Sequence, residues 1–375
     1  MDNTGIIATT LIGGCLIFAG GCQDASDAEL RKAVTSGDCP GYVSYSLEFG
    51  REEWSCFGWA DVESERQMDT RTVFRICSMT KSFVGALAAV LADCGAIDLD
   101  DPISRTFPEF TGEKKDITLR QCLSMTAGFA EMSPIMLKKG INSQDPSEVA
   151  REMAGLPLMA IPGTKFKYSN PSFEIAGAVI EKITGHTLQV MMEDVFFKPL
   201  EMYDTTFYPS QETLSRMAVL YCMNDAGGCC RGEDKILAPA YIGKFTSASG
   251  GLFSTPEDIL KFYQMLLRGG FSEDGRRIMP EGAIKILTTK QTPETVSTWY
   301  SLGFFRGKEW FGHGGAYGTI AECDLANFRL RMIFTQIRGT PARSFLRIWR
   351  KATNESFGEE AWGGNGQVDE RASVH

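Results

Sequence analysis

Hydrophobic and polar positions alternate in two separate parts of the chain, and this alternation predicts strands. Residues 41–50 alternate and are rich in β-forming side chains, and residues 54–62 return as a second strand after a turn at 50–52. Further strands are predicted towards the other end of the chain, at 302–306, 309–313, 318–324 and 328–336. The early and late strands most simply form one antiparallel sheet.

Between these strands the apolar positions recur at helical spacing. The run at 82–94 is apolar nearly all round and is closed by Gly95. Another helix begins after Thr255, which is followed by a proline at the first helical position and by acidic residues. The remaining helices are predicted at 24–34, 117–125, 146–155, 172–184, 188–197 and 341–352.

This order of elements predicts an α/β (α+β) fold, in which an antiparallel sheet is flanked by helices and carries an inserted all-helical domain. We place the discontinuous sheet domain at 24–84 and 240–354, and the helical domain at 85–239. Residues 355–375 are polar and glycine-bearing, which is typical of a disordered tail.

The composition of the chain indicates which kinds of molecule it is expected to bind. The 375 residues carry a net charge of −9 without a basic cluster, so nucleic acid is not an expected partner. The cysteines Cys222, Cys229 and Cys230 lie close in sequence, but they lack C-x-x-C spacing and a nearby histidine, so no metal is predicted. We expect no cofactor, and a small molecule or short peptide as substrate. The oligomeric state is left open.

Residues 1–22 resemble an export signal. Residues 6–19 are apolar but short for a bilayer span, and Ala-Gly-Gly-Cys at 19–22 resembles a bacterial lipoprotein cleavage box with Cys22 as the lipid anchor. Against this interpretation, the first basic residue of the chain is Arg31. The pattern favours a periplasmic or lipid-anchored protein, with a cytoplasmic one as the alternative.

The candidate chemistry begins where the apolar helix starts. Lys81 follows Ser78 by three residues, which places both side chains on one face of a helix. A lone lysine in an apolar helix is costly unless it has a partner or a task. We therefore interpret Ser78 as a nucleophile and Lys81 as a group that helps to remove its proton.

A second polar segment contains Tyr168 and Asn170, just after a Pro-Gly turn. The phenol pKa of a tyrosine falls beside an ammonium group, which would make Tyr168 a usable base. Asn170 would hold Lys81 together with a substrate amide. A buried tyrosine next to a turn is the simpler interpretation of this segment taken alone.

A third segment, residues 312–318, places glycines and one histidine within a strand pattern. Glycines in a strand suggest the close approach of a ligand or of another backbone segment. The N–H of Ala316, together with that of Ser78, would form an oxyanion hole. His313 is open to three interpretations: a base, a donor to substrate, or a packed ring.

The three segments, in this order, resemble the motifs of the serine β-lactamase and penicillin-recognising superfamily. The matching residues are Ser78-Met-Thr-Lys81, Tyr168-Ser-Asn170 and His313-Gly-Gly315. The tyrosine-containing second motif is similar to that of class C β-lactamases, DD-carboxypeptidases and related esterases. Including two further blocks at 123–128 and 249–258, the resemblance covers roughly residues 41–336.

The resemblance implies a role for each matching residue. Ser78 would form the acyl-enzyme, and Lys81 and Tyr168 would share its activation. Asn170 would bind Lys81 and the substrate acylamide. The backbone around Gly315 and Ala316 would supply the oxyanion donor.

The third motif departs from the Lys-Thr-Gly or Lys-Ser-Gly pattern of lactamases and penicillin-binding proteins. His313 would replace the missing lysine charge only when protonated. The loss of one charge-assisted hydrogen bond costs about 1.5–3 kcal/mol, or roughly tenfold to a hundredfold in recognition. We therefore expect a serine hydrolase acting on a small ester or amide, as an esterase, a D-amino-acid peptidase or a weak β-lactamase. The alternative is a non-catalytic protein that binds or senses penicillin or peptidoglycan fragments.

Overall fold

The structure is a computed structural model that describes residues 25–132, 145–223, 229–232, 246–307, 310–339 and 344–349. The predicted export segment with Cys22 and the predicted tail at 355–375 lie outside these residues. The helix predicted at 341–352 is described only over 344–349, where the chain is helical.

The described part of the chain contains eleven strands, and seven of them form one antiparallel sheet. In chain order the strands are β1 (Gly41–Glu48), β2 (Arg51–Asp61), β3 (Arg66–Gln67), β4 (Phe74–Arg75), β5 (Tyr221–Met223), β6 (Cys229–Arg231), β7 (Phe253–Ser254), β8 (Phe305–Arg306), β9 (Trp310–Gly315), β10 (Thr319–Asp324) and β11 (Arg329–Phe334). The sheet has the order β3-β2-β1-β11-β10-β9-β8, while β4 pairs with β7 and β5 with β6. The prediction that early and late strands share one antiparallel sheet is confirmed.

The first and last strands of the sheet pair in its middle. Val43 of β1 lies opposite Phe334 of β11, and the other edge of β1 pairs with β2. The strand predicted at 302–306 is confined to its last two residues, because a backbone hydrogen bond from Ser301 to Phe304 closes a turn first. The remaining strand predictions agree with the structure to within a few residues.

The helices have the following bounds: α1 (Ala25–Thr35), α2 (Thr80–Asp93), α3 (Leu119–Leu123), α4 (Pro146–Ala154), α5 (Asn170–Thr184), α6 (Leu188–Met192), α7 (Gln211–Ser215), α8 (Pro256–Leu267) and α9 (Glu281–Thr288). Thr255 caps α8 as predicted, since its hydroxyl accepts from the N–H of Asp258 at 3.2 Å. A 3₁₀ turn at Cys77–Met79 precedes α2, and a π turn at Glu193–Phe197 follows α6.

Helices cover both faces of the sheet. On one face α8 packs on β10 and β11, and the Phe262 ring of α8 stacks on Phe83 of α2 at 4.1 Å. On the other face Leu30 of α1 and Phe345 pack against Tyr42. The sheet is therefore the middle layer, and the expected fold of an antiparallel sheet flanked by helices is confirmed. The boundaries of the predicted helical domain stay a prediction.

The thiol cluster is a cross-strand pair. Cys222 of β5 lies opposite Cys230 of β6 with the two sulfurs 3.6 Å apart, and both thiols are free. Within the described ranges no group of three or more His, Cys, Asp or Glu side chains could hold a metal ion. No helix in the described part of the chain is long and apolar enough to cross a membrane.

The packing of α2 against the turn at residues 301–304, before β8, predicts one sensitive position. A methyl group at Gly85 would lie 1.8 Å from the carbonyl oxygen of Leu302, which is backbone and cannot rotate away. We expect Gly85→Ala to lower the free energy of unfolding by about 1–3 kcal/mol, although alanine favours a helix. Urea denaturation would measure the change. Gly155→Ala is the matched control, because its methyl would meet nothing closer than 3.5 Å. Equal stability of both variants would contradict the close packing.

Candidate active site

Ser78 reaches solvent from an otherwise buried segment. Every residue from Thr72 to Ala89 is buried except Ser78, which is partly exposed. It lies in the 3₁₀ turn before α2, and the preceding Cys77 has a left-handed backbone with φ 46°. Such a conformation is uncommon in residues other than glycine and persists only where surrounding contacts fix it. The turn therefore presents one hydroxyl in a fixed position.

The Lys81 side chain is fully buried and ends at three oxygen atoms. Its Nζ lies 3.0 Å from Ser78 Oγ, 2.8 Å from Asn170 Oδ1 and 2.6 Å from the carbonyl oxygen of Ser249. Ser78 and Lys81 are neighbours because the turn continues directly into α2. The structure thus brings together three of the predicted residues, Ser78, Lys81 and Asn170.

The three oxygens around Lys81 are not equivalent. A carbonyl oxygen can only accept hydrogen bonds, so Asn170 and Ser249 each take one N–H of the amine. The ammonium form donates its third N–H to Ser78 Oγ. The neutral amine has only two N–H groups, and with both on the carbonyls its lone pair is left for the Ser78 hydroxyl. Burial lowers the pKa of Lys81 to about 7, against the opposing effect of the Glu174 carboxylate. The structure therefore holds an amine that titrates close to physiological pH at hydrogen-bond distance from the Ser78 hydroxyl.

Asn170 reaches Lys81 because its helix starts earlier than predicted. The Ser169 hydroxyl accepts from the N–H of Ser172 at 3.2 Å and caps α5, so Asn170 lies in the first turn instead of in a loop. The Nδ2 atom of Asn170 contacts the sulfur of Met132 at 2.8 Å. The side chain is held from both ends, with its oxygen towards the amine.

Tyr168 joins the same group of side chains. Its phenol is hydrogen-bonded to Ser78, and Lys81 Nζ lies 5.0 Å from the centre of its ring. Burial raises the pKa of Tyr168, the direction opposite to the expected lowering by an ammonium group. Tyr168 is therefore a protonated phenol at neutral pH, and of these two side chains Lys81 is the one that loses its proton near pH 7.

The third motif approaches the serine turn through its backbone. A methyl group at Gly315 would lie 2.3 Å from the carbonyl oxygen of Ile76, and the Thr319 hydroxyl donates to that same oxygen at 3.3 Å. Strand β9 is thereby held against the turn that carries Ser78. Ala316 follows as an exposed turn residue. Its role as an oxyanion donor stays a prediction.

His313 is a packed, neutral ring. It is fully buried, its Nδ1 donates to the carbonyl oxygen of Gly314 at 2.7 Å, and its Nε2 accepts from the Tyr300 hydroxyl at 3.2 Å. Burial, with the Lys81 charge, lowers the pKa of His313 to about 3. At neutral pH His313 therefore carries no charge that could stand in for a lysine, in line with the expectation that it would do so only when protonated. The His313 ring packs beside the ring of Tyr168, and the ring of Phe305 stacks against Tyr168.

Sequence reasoning missed two groups at this site. Ser249 contributes a backbone carbonyl, which no side-chain pattern reveals. Glu174 is a fully enclosed carboxylate one turn after Asn170, with an exposed fraction of 3%. A lone acid among apolar helical residues is as costly as the lone lysine and was a readable signal.

The family model described as Beta-lactamase matches residues 27–352. An uncharacterized protein of Mycobacterium tuberculosis is 27% identical over 333 residues, covering 82% of this chain and 80% of the relative.

Two solved structures share the fold. EstCE1, a hydrolase with promiscuous acyltransferase activity, aligns with a TM-score of 0.72 at 21% identity, over 88% of this chain and 98% of EstCE1. Unliganded simvastatin synthase LovD from Aspergillus terreus aligns with a TM-score of 0.74 at 19% identity, over 89% and 98% of the two chains.

The contact between β9 and the serine turn yields a prediction. We expect Gly315→Ala to slow the acylation of Ser78 at least about a hundredfold, because a displacement of about 1 Å can cost that much. The rate of labelling by an alkyl fluorophosphonate, followed by intact mass, would measure it. Gly250→Ala is the control, since its methyl would meet Cys77 at an ordinary 3.5 Å. An unchanged rate of labelling of folded Gly315→Ala would show that this contact does not determine the position of Ser78.

Proposed function

The chain belongs to the beta-lactamase family, and we propose that it is a serine hydrolase that forms an acyl-enzyme at Ser78. The observation that carries this proposal is the position of Lys81 Nζ, which lies 3.0 Å from Ser78 Oγ and is held there by hydrogen bonds to the carbonyl oxygens of Asn170 and Ser249. A nucleophile and a base within hydrogen-bond reach, with the base oriented by further groups, is the arrangement that activates a serine.

In the proposed acylation, one proton passes in net from Ser78 through Lys81 and Tyr168 to the leaving group. Ser78 Oγ attacks the substrate carbonyl carbon while its proton passes to Lys81 Nζ, and the carbonyl oxygen becomes an oxyanion. The N–H groups of Ser78 and Ala316 are the proposed donors to that oxyanion. As the tetrahedral intermediate collapses, the leaving group takes the phenol proton of Tyr168, which Lys81 restores. In deacylation, water attacks the acyl carbon while its proton passes to Lys81 Nζ. The bond to Ser78 Oγ then breaks, Ser78 Oγ regains a proton, and the carboxylic acid leaves.

The proposed substrate is a small ester or amide that has no carboxylate group to be bound at the third motif. His313 is neutral and enclosed there, so it offers no charge to such a group. This disfavours efficient hydrolysis of β-lactams, whose recognition in the resembling family uses a lysine at this position. The description of EstCE1 as a hydrolase with promiscuous acyltransferase activity supports an acyl-transferring site on this fold.

Acylation of Ser78 is the direct test. We expect an alkyl fluorophosphonate to add one equivalent of mass to the wild-type protein and none to Ser78→Ala. Ser82→Ala is a suitable control, because Ser82 is a fully buried neighbour whose hydroxyl donates to the Gly303 carbonyl. No Ser78-dependent adduct with any acylating probe would refute the proposal. A stable adduct from an ester substrate, without turnover, would instead indicate a sensing protein.

The pKa of Lys81 predicts the pH dependence of hydrolysis. Because the neutral amine is the active form, kcat/KM for a neutral ester should rise with pH up to about 7 and then level. Below that midpoint it should fall about tenfold per pH unit. Initial rates with p-nitrophenyl acetate between pH 5 and 9 would measure it. A midpoint near the ordinary value for lysine would contradict the assignment of the base.

The substrate class is tested by comparing the kcat/KM values of three probes. We expect kcat/KM for p-nitrophenyl acetate to exceed that for nitrocefin and for a D-Ala-D-Ala peptide by at least about tenfold, since the last two carry carboxylates that lose a charged partner here. Steady-state rates on one preparation would rank them. Preference for either carboxylate-bearing substrate would show that another group supplies the charge.

A further inference from the structure

Helix α5 presents a stripe of three residues towards the active-site lysine. Asn170, Glu174 and Gly177 lie at positions i, i+4 and i+7, and therefore on one face. Asn170 contacts Lys81 directly, and Gly177 lies so close to Ala248 that an added methyl would come within 2.6 Å of its Cβ. Glu174 stands between these two contacts, in a stretch where its neighbours are apolar and buried.

The Glu174 carboxylate receives hydrogen bonds from the turn formed by residues 247–249. Oε1 accepts from the Ser247 hydroxyl at 2.6 Å and from the N–H of Ser249 at 3.2 Å, and Oε2 accepts from the N–H of Ala248 at 3.0 Å. Backbone N–H groups can only donate, so this set of partners favours the ionised carboxylate. Burial acts in the opposite direction and raises the pKa of Glu174.

One peptide group connects this acid to the base. The N–H of Ser249 points at Glu174, while the carbonyl of the same residue accepts from Lys81 Nζ at 2.6 Å. Rotation of the 247–249 turn would therefore break both contacts together. Glu174 thus holds the Ser249 peptide group, whose carbonyl oxygen holds the Lys81 amine.

We propose that Glu174 is a positioning residue of this active site, which holds the 247–249 turn so that the Ser249 carbonyl directs Lys81 towards Ser78. The proposal rests on the proposed function for its catalytic consequence, while its structural part concerns Lys81 alone. Glu174 touches neither Ser78 nor the reacting atoms, so its effect on catalysis passes entirely through the turn and through its charge.

The charge of Glu174 acts on Lys81 in a known direction. Glu174 favours the ammonium form of Lys81, as do the weaker contributions of Cys77 and Glu131. On its own helix Glu174 also faces Glu181, whose pKa it helps to raise. Removal of the Glu174 charge should therefore favour the neutral amine and lower the pH at which Lys81 titrates.

Two substitutions separate position from charge. Glu174→Gln removes the charge and places an amide where two N–H donors need an acceptor, so we expect the Lys81 midpoint to fall by about 1 pH unit and kcat to decrease. Glu174→Asp keeps the charge but withdraws it by one methylene from the turn. We expect it to reduce kcat about tenfold while the midpoint moves by less than about 0.3 unit. A purely structural acid would change stability without moving the midpoint.

Two measurements report the midpoint. The first is the titration of the Lys81 Cε resonance in ¹³C-lysine-labelled full-length protein, assigned by its loss in Lys81→Arg. The second is the acid limb of ester hydrolysis. The first needs no turnover, so a wild-type protein that fails to acylate would refute the proposed function and leave this inference testable.

Glu181→Gln is the matched control. Glu181 is a partly buried acid on the same helix, and its carboxylate accepts from the N–H of Leu188 at 2.7 Å rather than from the 247–249 turn. It should leave the Lys81 midpoint and the acid limb in place. If folded Glu174→Gln also leaves both unchanged, the proposal is overturned. If Glu174→Gln does not fold, wild-type kcat in Glu174→Asp overturns it, and a reduced kcat at an unchanged midpoint supports it.

Discussion

The site depends on one costly arrangement, the burial of the Lys81 amine. An ammonium group without water is unfavourable unless oxygen atoms surround it, and a buried amine responds by losing its proton more easily. Three elements from distant parts of the chain supply those oxygens: the turn before α2, the first turn of α5 and the loop at Ser249. The requirement to satisfy one nitrogen thus fixes the relative positions of all three.

The sheet gives this cluster a rigid boundary. Strand β9 lies against the carbonyl oxygen of Ile76, and the turn that carries Ser78 is consequently clamped between the sheet and α2. Such confinement explains how Cys77 keeps a left-handed backbone, since surrounding contacts hold it there. Gly315 lies against the carbonyl oxygen of Ile76, and Cys77, with its left-handed backbone, is the next residue after Ile76.

The sequence predicted most of the fold but only part of the site's electrostatics. Periodicity located α2 and α8, and the lone lysine at 81 and the motif order identified Ser78, Tyr168 and Asn170 as neighbours. The direction of the Tyr168 pKa shift and the neutrality of His313 depend on burial, which arises from packing between distant segments. The Ser249 contribution is a backbone carbonyl, so residue identity carries no trace of it. Glu174 was readable, because the reasoning that singled out Lys81 applies equally to an acid in an apolar helix.

The pairing of β1 with β11 has a consequence for how the protein is made. β1 is synthesised among the first described residues, yet the edge that faces β11 finds its partner only when Phe334 has left the ribosome. Contacts so distant in sequence slow folding, and an unpaired strand edge exposed meanwhile can associate with other chains. The nascent chain must therefore keep β1 from pairing elsewhere during most of its synthesis. Since β9 also lies late in the chain, its contact with the serine turn can form only after most of the chain has been synthesised.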